Sequence, residues 1–305
     1  MRSIRCCPAL LAICLAILLA GPARGEDEPA AGAAADSVDA HASSIKAFPY
    51  AYYTPETEFA VGVGGIATFY TSNDAELRPS KVVLSGYYTT SEQYKITLNP
   101  EFYYSRNRYF TGMDLSFGHY VDKFWGVGND TPELGSERYV ADRFGIELNV
   151  ETPPLFFVRD RAGVVYDFEH TTIVDAEENA HLVAGDVTGS DGGIVSGIGG
   201  AWIWDGRDHS FYPTHGDLHE FRIVVYTDAV GSDYTYWTFT HDDRRYIRLA
   251  RDKVLAVQAY IDMAMGDPPF DRLPALGGQN RMRGYYEGRY RDGAYLMGQV
   301  EYRQV

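Results

Sequence analysis

Residues 94–104 read YKITLNPEFYY. Tyr94, Ile96, Leu98, Phe102 and Tyr104 share one parity, and Lys95, Thr97, Asn99, Glu101 and Tyr103 share the other. Alternation with a period of two is the mark of a β-strand with one apolar and one polar face. The pattern recurs along the chain. FGIELNVE (144–151) sets Phe144, Ile146, Leu148 and Val150 against Gly145, Glu147, Asn149 and Glu151. VLAVQAYIDMA (254–264) sets Leu255, Val257, Ala259, Ile261 and Met263 against Ala256, Gln258, Tyr260 and Asp262. AYLMGQVEYR (294–303) sets Leu296, Gly298, Val300 and Tyr302 against Tyr295, Met297, Gln299, Glu301 and Arg303. No stretch sustains a helical period, so the chain is all-β.

A soluble sandwich also alternates. Three features point instead to a transmembrane antiparallel β-barrel. The alternating segments are about as long as a tilted spanning strand needs, roughly 9–11 residues. Aromatic residues gather at strand ends, in FYT (69–71), YYSRNRYF (103–110) and EYR (301–303). The chain reads as exported and keeps no cysteine once its signal is removed; its charged, glycine-dotted polar face would turn Lys95, Glu101, Glu147, Arg222 and Gln258 toward the lumen. In lipid every backbone group must pair internally, so such a sheet has to close. Strands are expected near 46–53, 58–71, 80–90, 93–104, 108–120, 138–151, 155–169, 193–205, 216–229, 233–250 and 252–265, and from 293 to the end. Short turns at 105–108 and 250–253 alternate with longer connections at 121–138, 171–193 and 266–292. With the first strand running outward, the short turns are periplasmic and the 171–193 and 266–292 loops lie outside.

The first residues fit an exported protein. Arg2 and Arg5 precede an apolar run from Cys7 to Ala20, and Ala23 and Gly25 are small residues before Glu26. This is the pattern of a cleavable signal peptide over 1–25, cut near Gly25 and read by the Sec pathway. Residues 26–45, rich in Ala, Asp and Ser, read as a disordered periplasmic tail, and 46–305 as the barrel. All three cysteines, Cys6, Cys7 and Cys14, lie in the signal, so the mature chain would hold no disulfide. Of 27 Lys+Arg the signal takes Arg2, Arg5 and Arg24, leaving 24 against 42 Asp+Glu, a balance of −18. That sign excludes nucleic acid as a partner, because a phosphate backbone needs a basic face.

Two segments go beyond alternation. WDGRDHSFYPTHGD (204–217) is a charged periplasmic turn, carrying Asp205, Arg207, Asp208, Pro213 and Gly216. LGGQNRMRGYYEGRYRD (276–292), after the lead-in PPFDRLPA (268–275), puts four arginines and three tyrosines between two strands. In this order the two resemble the outer-membrane assembly and secretion barrels of the BamA/TamA and two-partner-transporter superfamily, the bacterial surface antigen family. The matching residues are Phe211 to Gly216 in the turn, then Leu276, Gly277 and Gly278, then Met282, Arg283, Gly284 and Tyr285, which fit the family's hydrophobic-Arg-Gly-aromatic signature. EYR (301–303) and FWGVGNDT (124–131) also resemble segments of such barrels.

The resemblance implies that the 266–292 loop folds back into the lumen, with Arg283 anchored on an inner-wall carboxylate. Arg281, Arg289 and Arg291 are expected to be solvated. Guanidinium is always charged and holds a carboxylate with a rigid fork, Gly284 permits a tight tip, and Tyr285 can pack on the wall. Two departures stand out. The barrel is expected to lack the family's POTRA domains, since about twenty residues stand between the signal and its first strand, and the family continues for about four strands past EYRQV, to sixteen, including the one bearing the arginine's partner. A C-terminally truncated chain is the expectation, with that carboxylate beyond Val305. The implied function is non-enzymatic: assisting insertion or translocation of proteins, or of lipids, with outer-membrane lipid, lipopolysaccharide and unfolded client proteins as partners. A passive pore or structural protein, and an outer-membrane lipid hydrolase, are the alternatives. No cofactor and no metal are expected. Of the eight histidines only His215 and His219 stand four apart, on a turn and the strand after it rather than on one helix face, so they are not read as a ligand pair; His209 and His215 read as turn residues, and Asp175, Glu177, Glu178, Asp186 and Asp191 fit no calcium loop.

Overall fold

The computed structural model describes residues 43–74, 77–131, 135–152, 160–177, 182, 185–209 and 212–304. The signal peptide, nearly all of the tail, Phe211 and Glu178 lie outside these residues. Twelve antiparallel strands form one sheet, each beside its neighbour in sequence. They are β1 (Ser44–Thr54), β2 (Glu58–Phe69), β3 (Ser80–Thr89), β4 (Tyr94–Tyr104), β5 (Tyr109–Phe124), β6 (Glu137–Thr152), β7 (Asp160–Ala176), β8 (Gly192–Asp205), β9 (Gly216–Tyr226), β10 (Tyr236–Ala250) and β11 (Lys253–Gly266). The connection 267–293 follows. It contains its own two-residue strands β12 (Ala275–Leu276) and β13 (Tyr290–Arg291), which pair with each other. The twelfth strand of the sheet, β14 (Ala294–Gln304), then pairs with β11. Among the described residues β1 and β14 are the two edges.

Simple up-and-down order places the connections at two ends. The end where β1 starts carries the β2–β3, β4–β5, β6–β7, β8–β9 and β10–β11 connections; the far end carries those of β1–β2, β3–β4, β5–β6, β7–β8 and β9–β10 and the connection 267–293. The central strands run further toward the far end than alternation predicts. β5 extends past 120 to Phe124, and β7, expected to stop at 169, runs to Ala176. Thr171, Thr172, Ile173 and Val174 explain the second difference. They are β-branched, suit the pleat, and keep pairing with β6 across an irregularity at Val140/Ala141.

Register sorts the side chains. Phe117 pairs with Phe144, Ile198 with Val225 and Val225 with Trp237, all on one face. That face leaves Val61, Val63, Ile96, Val164, Ile223, Leu296 and Val300 exposed, together with those residues. The opposite face carries one row of Asp114, Glu147, Asp167, Gly197, Tyr226 and Tyr236. This polar face is concave. Arg222 of β9 holds Glu147 of β6 with two hydrogen bonds of 2.7 and 2.8 Å. Three strand steps of about 4.8 Å separate the two, too far for the pair to meet over a flat sheet. Small residues make room for the bend: Gly197, Gly199 and Ala201 of β8 lie between them, and a Cβ on Gly199 would collide with the Ile223 carbonyl.

Candidate functional site

The connection 267–293 lies on the concave face, and its arginines reach far into the sheet. Pro269, Phe270 and Asp271 lead it in. The Phe270 N–H donates to the Thr188 carbonyl at 2.8 Å, and its ring is buried against Phe124 and Tyr139, with centroids 5.1 and 5.3 Å away. Gly189 allows this approach, since a Cβ there would strike Pro269 and its φ of +83° favours glycine.

Arg272 follows and pairs with two carboxylates of the wall. Its guanidinium bridges Asp167 and Glu169 of β7, the latter at 3.6 Å. Tyr226 completes the cluster: its hydroxyl donates to Asp167 Oδ2 at 2.6 Å, and its ring stacks on Tyr236 at 4.2 Å. Burial works hardest against the Arg272 charge. The carboxylates of Glu169 and Asp167 outweigh it and hold the guanidinium pKa above its ordinary value. Next to it, Arg143 of β6 reaches Asp271 at 3.5 Å and packs over the Tyr120 ring.

The second half of the connection returns across the same face. Arg291 is buried; it approaches Asp122 of β5 at 3.4 Å, and its backbone carbonyl accepts from Gly128 at 2.7 Å. Arg289 is buried too. It donates to the Thr131 hydroxyl at 2.7 Å and carbonyl at 3.0 Å, and lies over the Trp125 and Tyr290 rings. The segment FWGVGNDT is therefore a seat for this loop, with Gly126 and Gly128 in positive-φ turns. Arg281 lies 4.5 Å over the Tyr260 ring and donates to its hydroxyl at 2.8 Å. The Glu287 N–H reaches the Glu56 carboxylate in the β1–β2 turn at 3.3 Å.

The expected division among the arginines is thus redrawn. Arg289 and Arg291, expected in solvent, are buried, and Arg281 is exposed but packed on Tyr260. Arg283 is exposed at the loop tip, and its charge bears on Glu301 of β14. Leu276 pairs with Tyr290. Gly277 (φ +128°) could not carry a Cβ without striking the Tyr286 carbonyl, and the Gly278 N–H donates to Tyr285 at 2.9 Å. Met282 is half-buried, and Gly284 takes φ +99° with open space around it. Tyr285 is 47% exposed and packs on Tyr290 of its own loop rather than on the wall. Arg272 and its carboxylates went unnoticed in the sequence. The available signal was two acids, Asp167 and Glu169, on the polar parity of one strand.

The charged turn sits at the opposite end and is held mostly by its own residues, with Arg248 of β10 reaching Asp208 at 3.5 Å. Asp205 takes both arms of Arg207, at 2.8 Å each. Asp208 accepts from the Thr214 N–H at 2.8 Å and hydroxyl at 2.6 Å, and from the His215 N–H at 3.2 Å. Pro213 is buried, and Gly216 (φ +103°) passes against the Gly206 carbonyl. The Thr214 hydroxyl leads in holding the Asp208 carboxyl below the usual carboxylate range. Among the described residues, the one grouping with metal-ligand chemistry is His219, His241 and Asp243, on the convex face.

Comparison with known proteins agrees with this architecture. Residues 80–304 match the model of the Omp85 superfamily domain. Among solved structures, the chain resembles BamA from Haemophilus ducreyi lacking POTRA domains 1-3, with a TM-score of 0.55 at 14% identity over 81% of this chain and 46% of that one. It also resembles CdiB from Escherichia coli, with a TM-score of 0.51 at 10% identity over 85% of this chain and 47% of that one. The chain therefore spans about half the length of either. No curated protein matches it.

Proposed function

The chain belongs to the Omp85 superfamily, and on that premise we propose that it is a non-enzymatic outer-membrane β-barrel protein that assists insertion or translocation of proteins at that membrane. The observation that carries this reading is the 267–293 loop, laid along the concave face and held there by Arg272 on Asp167 and Glu169 and by Arg291 near Asp122. A loop fixed at many points narrows the interior, and so favours work at the barrel wall over free passage of solutes. The exposed apolar convex face is the lipid-facing surface, since a band of that extent on a soluble protein would drive association. Client chains would be unfolded outer-membrane or secreted proteins, whose own unpaired strand edges can add to a sheet.

The experiment is reconstitution of the full chain in liposomes with an unfolded outer-membrane β-barrel as client. The expected result is faster folding of the client, read as its heat-modifiable gel band, than in protein-free liposomes. Steady membrane conductance with no effect on client folding would overturn this reading in favour of a passive pore. Release of fatty acid from the liposomes would overturn it in favour of a lipid hydrolase.

A further inference from the structure

On the convex face, β9 and β10 bring together three side chains that lie apart in sequence. Register sets Asp243 opposite His219 and His241 opposite Phe221, so His219, His241 and Asp243 share the outward parity. Each can offer a ligand atom within 4.8 Å of the other two. His219 Nδ1 lies 3.1 Å from Asp243 Oδ1. An ion pair alone would account for those two residues and not for the third. His241 lies flat on the Phe221 ring, with centroids 4.0 Å apart, yet its Nε2 is shut off from solvent and has no hydrogen-bond partner. A shielded polar atom of that kind needs a partner. One row along, Arg245 is engaged by Asp217 at 3.2 Å, so its charge is already met.

Two imidazoles and a carboxylate are the donor set of borderline divalent transition metals. Three protein ligands also leave a coordination position open. Register sets Trp204 opposite His219 and Trp202 opposite Phe221. The cluster thus lies level with two tryptophans, and aromatic belts mark the depth at which lipid headgroups begin. We propose that His219, His241 and Asp243 form a site for a divalent transition-metal ion of the Zn2+ class, which ties β9 to β10 on the outer wall. The open coordination position faces the headgroup layer. The ligand set stands independently of the assembly role; only the surroundings of the open position rest on the convex face meeting lipid.

The test is titration of the full chain, stripped of metal and held in detergent, with Co2+. The expected result is one Co2+ per chain with the visible absorption of a four- or five-coordinate ion, displaced by Zn2+. His241→Gln and Asp243→Asn, read in parallel so that a folding failure in one leaves the other decisive, should each weaken binding about tenfold or more. His215→Gln, in the neighbouring turn, should change nothing. Equal affinity in the wild type and in either folded ligand variant, or the weak spectrum of a six-coordinate hydrated ion, would overturn the proposal. Client folding is a separate readout, so loss of the metal and loss of the assembly role are distinguishable.

Discussion

The 206–215 turn and the 267–293 loop are both rich in charge, and they obtain their partners in opposite ways. In the turn, Asp205 holds Arg207 two residues away, and Asp208 holds Thr214 and His215 six and seven away. In the loop, Arg272 reaches Asp167 across 105 residues and Arg291 reaches Asp122 across 169. The turn closes chiefly on its own residues, with Arg248 of β10 reaching in to 3.5 Å from Asp208. The loop has no arrangement of its own without the curved sheet beneath it, so its geometry reports the state of the whole wall. Local charge in this molecule finishes a connection; distant charge ties strands together.

That contrast can be broken first at Arg272. Arg272→Ala leaves Asp167 and Glu169 side by side with no cation between them; breaking a fully buried pair costs about 3 kcal/mol or more, and the 24% exposure of Arg272 reduces the loss below that. The urea midpoint of the full chain in detergent should fall accordingly. Adding Asp167→Asn should recover part of the loss, because one of the stranded charges disappears; a double variant no better than the single would show that the pair does not hold the loop.

A smaller effect separates the two ends of the loop. Arg291→Ala, at a buried site, should speed protease cleavage within 267–293 several-fold, whereas Arg283→Ala, at the exposed tip, should leave cleavage close to wild type. Reversed sensitivities would make Arg283 the principal anchor. The smallest effect belongs to the turn and shows as a pH dependence. Thr214 holds the Asp208 pKa below its unfolded value of about 3.9. Its contribution is therefore complete above that value and is lost as pH falls through the lower folded one. Pepsin should nick 206–215 only well below pH ~3.9, and nicking that begins above that value would contradict the sign.

Alternation in YKITLNPEFYY and its counterparts carried the architecture, because strand faces depend on parity alone and parity is written residue by residue. Twelve sheet strands in sequence order, connected at two ends as expected, follow from it. The loop and the turn could also be located, from their glycine, proline and charge. Which arginine goes inside could not. Arg283 and Arg291 have equally polar neighbourhoods in the sequence, and their burial is decided by which strands the bend brings near. Arg272 was hidden for the same reason, since its carboxylates sit on β7, four strands from β11 in the sheet. A test of histidine spacing along the chain likewise cannot see His219 and His241, which meet only through the register of β9 and β10.

The bond from Glu287 to Glu56 has a consequence in time. It joins residues 231 positions apart, so it can form only after β1 to β11 stand in order, and contacts of such separation are the slow ones in folding. The concave wall must exist, polar and uncovered, before its loop can lie down on it. Trp125, packed 5.1 Å from Tyr286, is placed to report that last event. Its fluorescence change should lag behind the far-ultraviolet signal of the strands, and simultaneous changes would mean that loop and sheet fold as one.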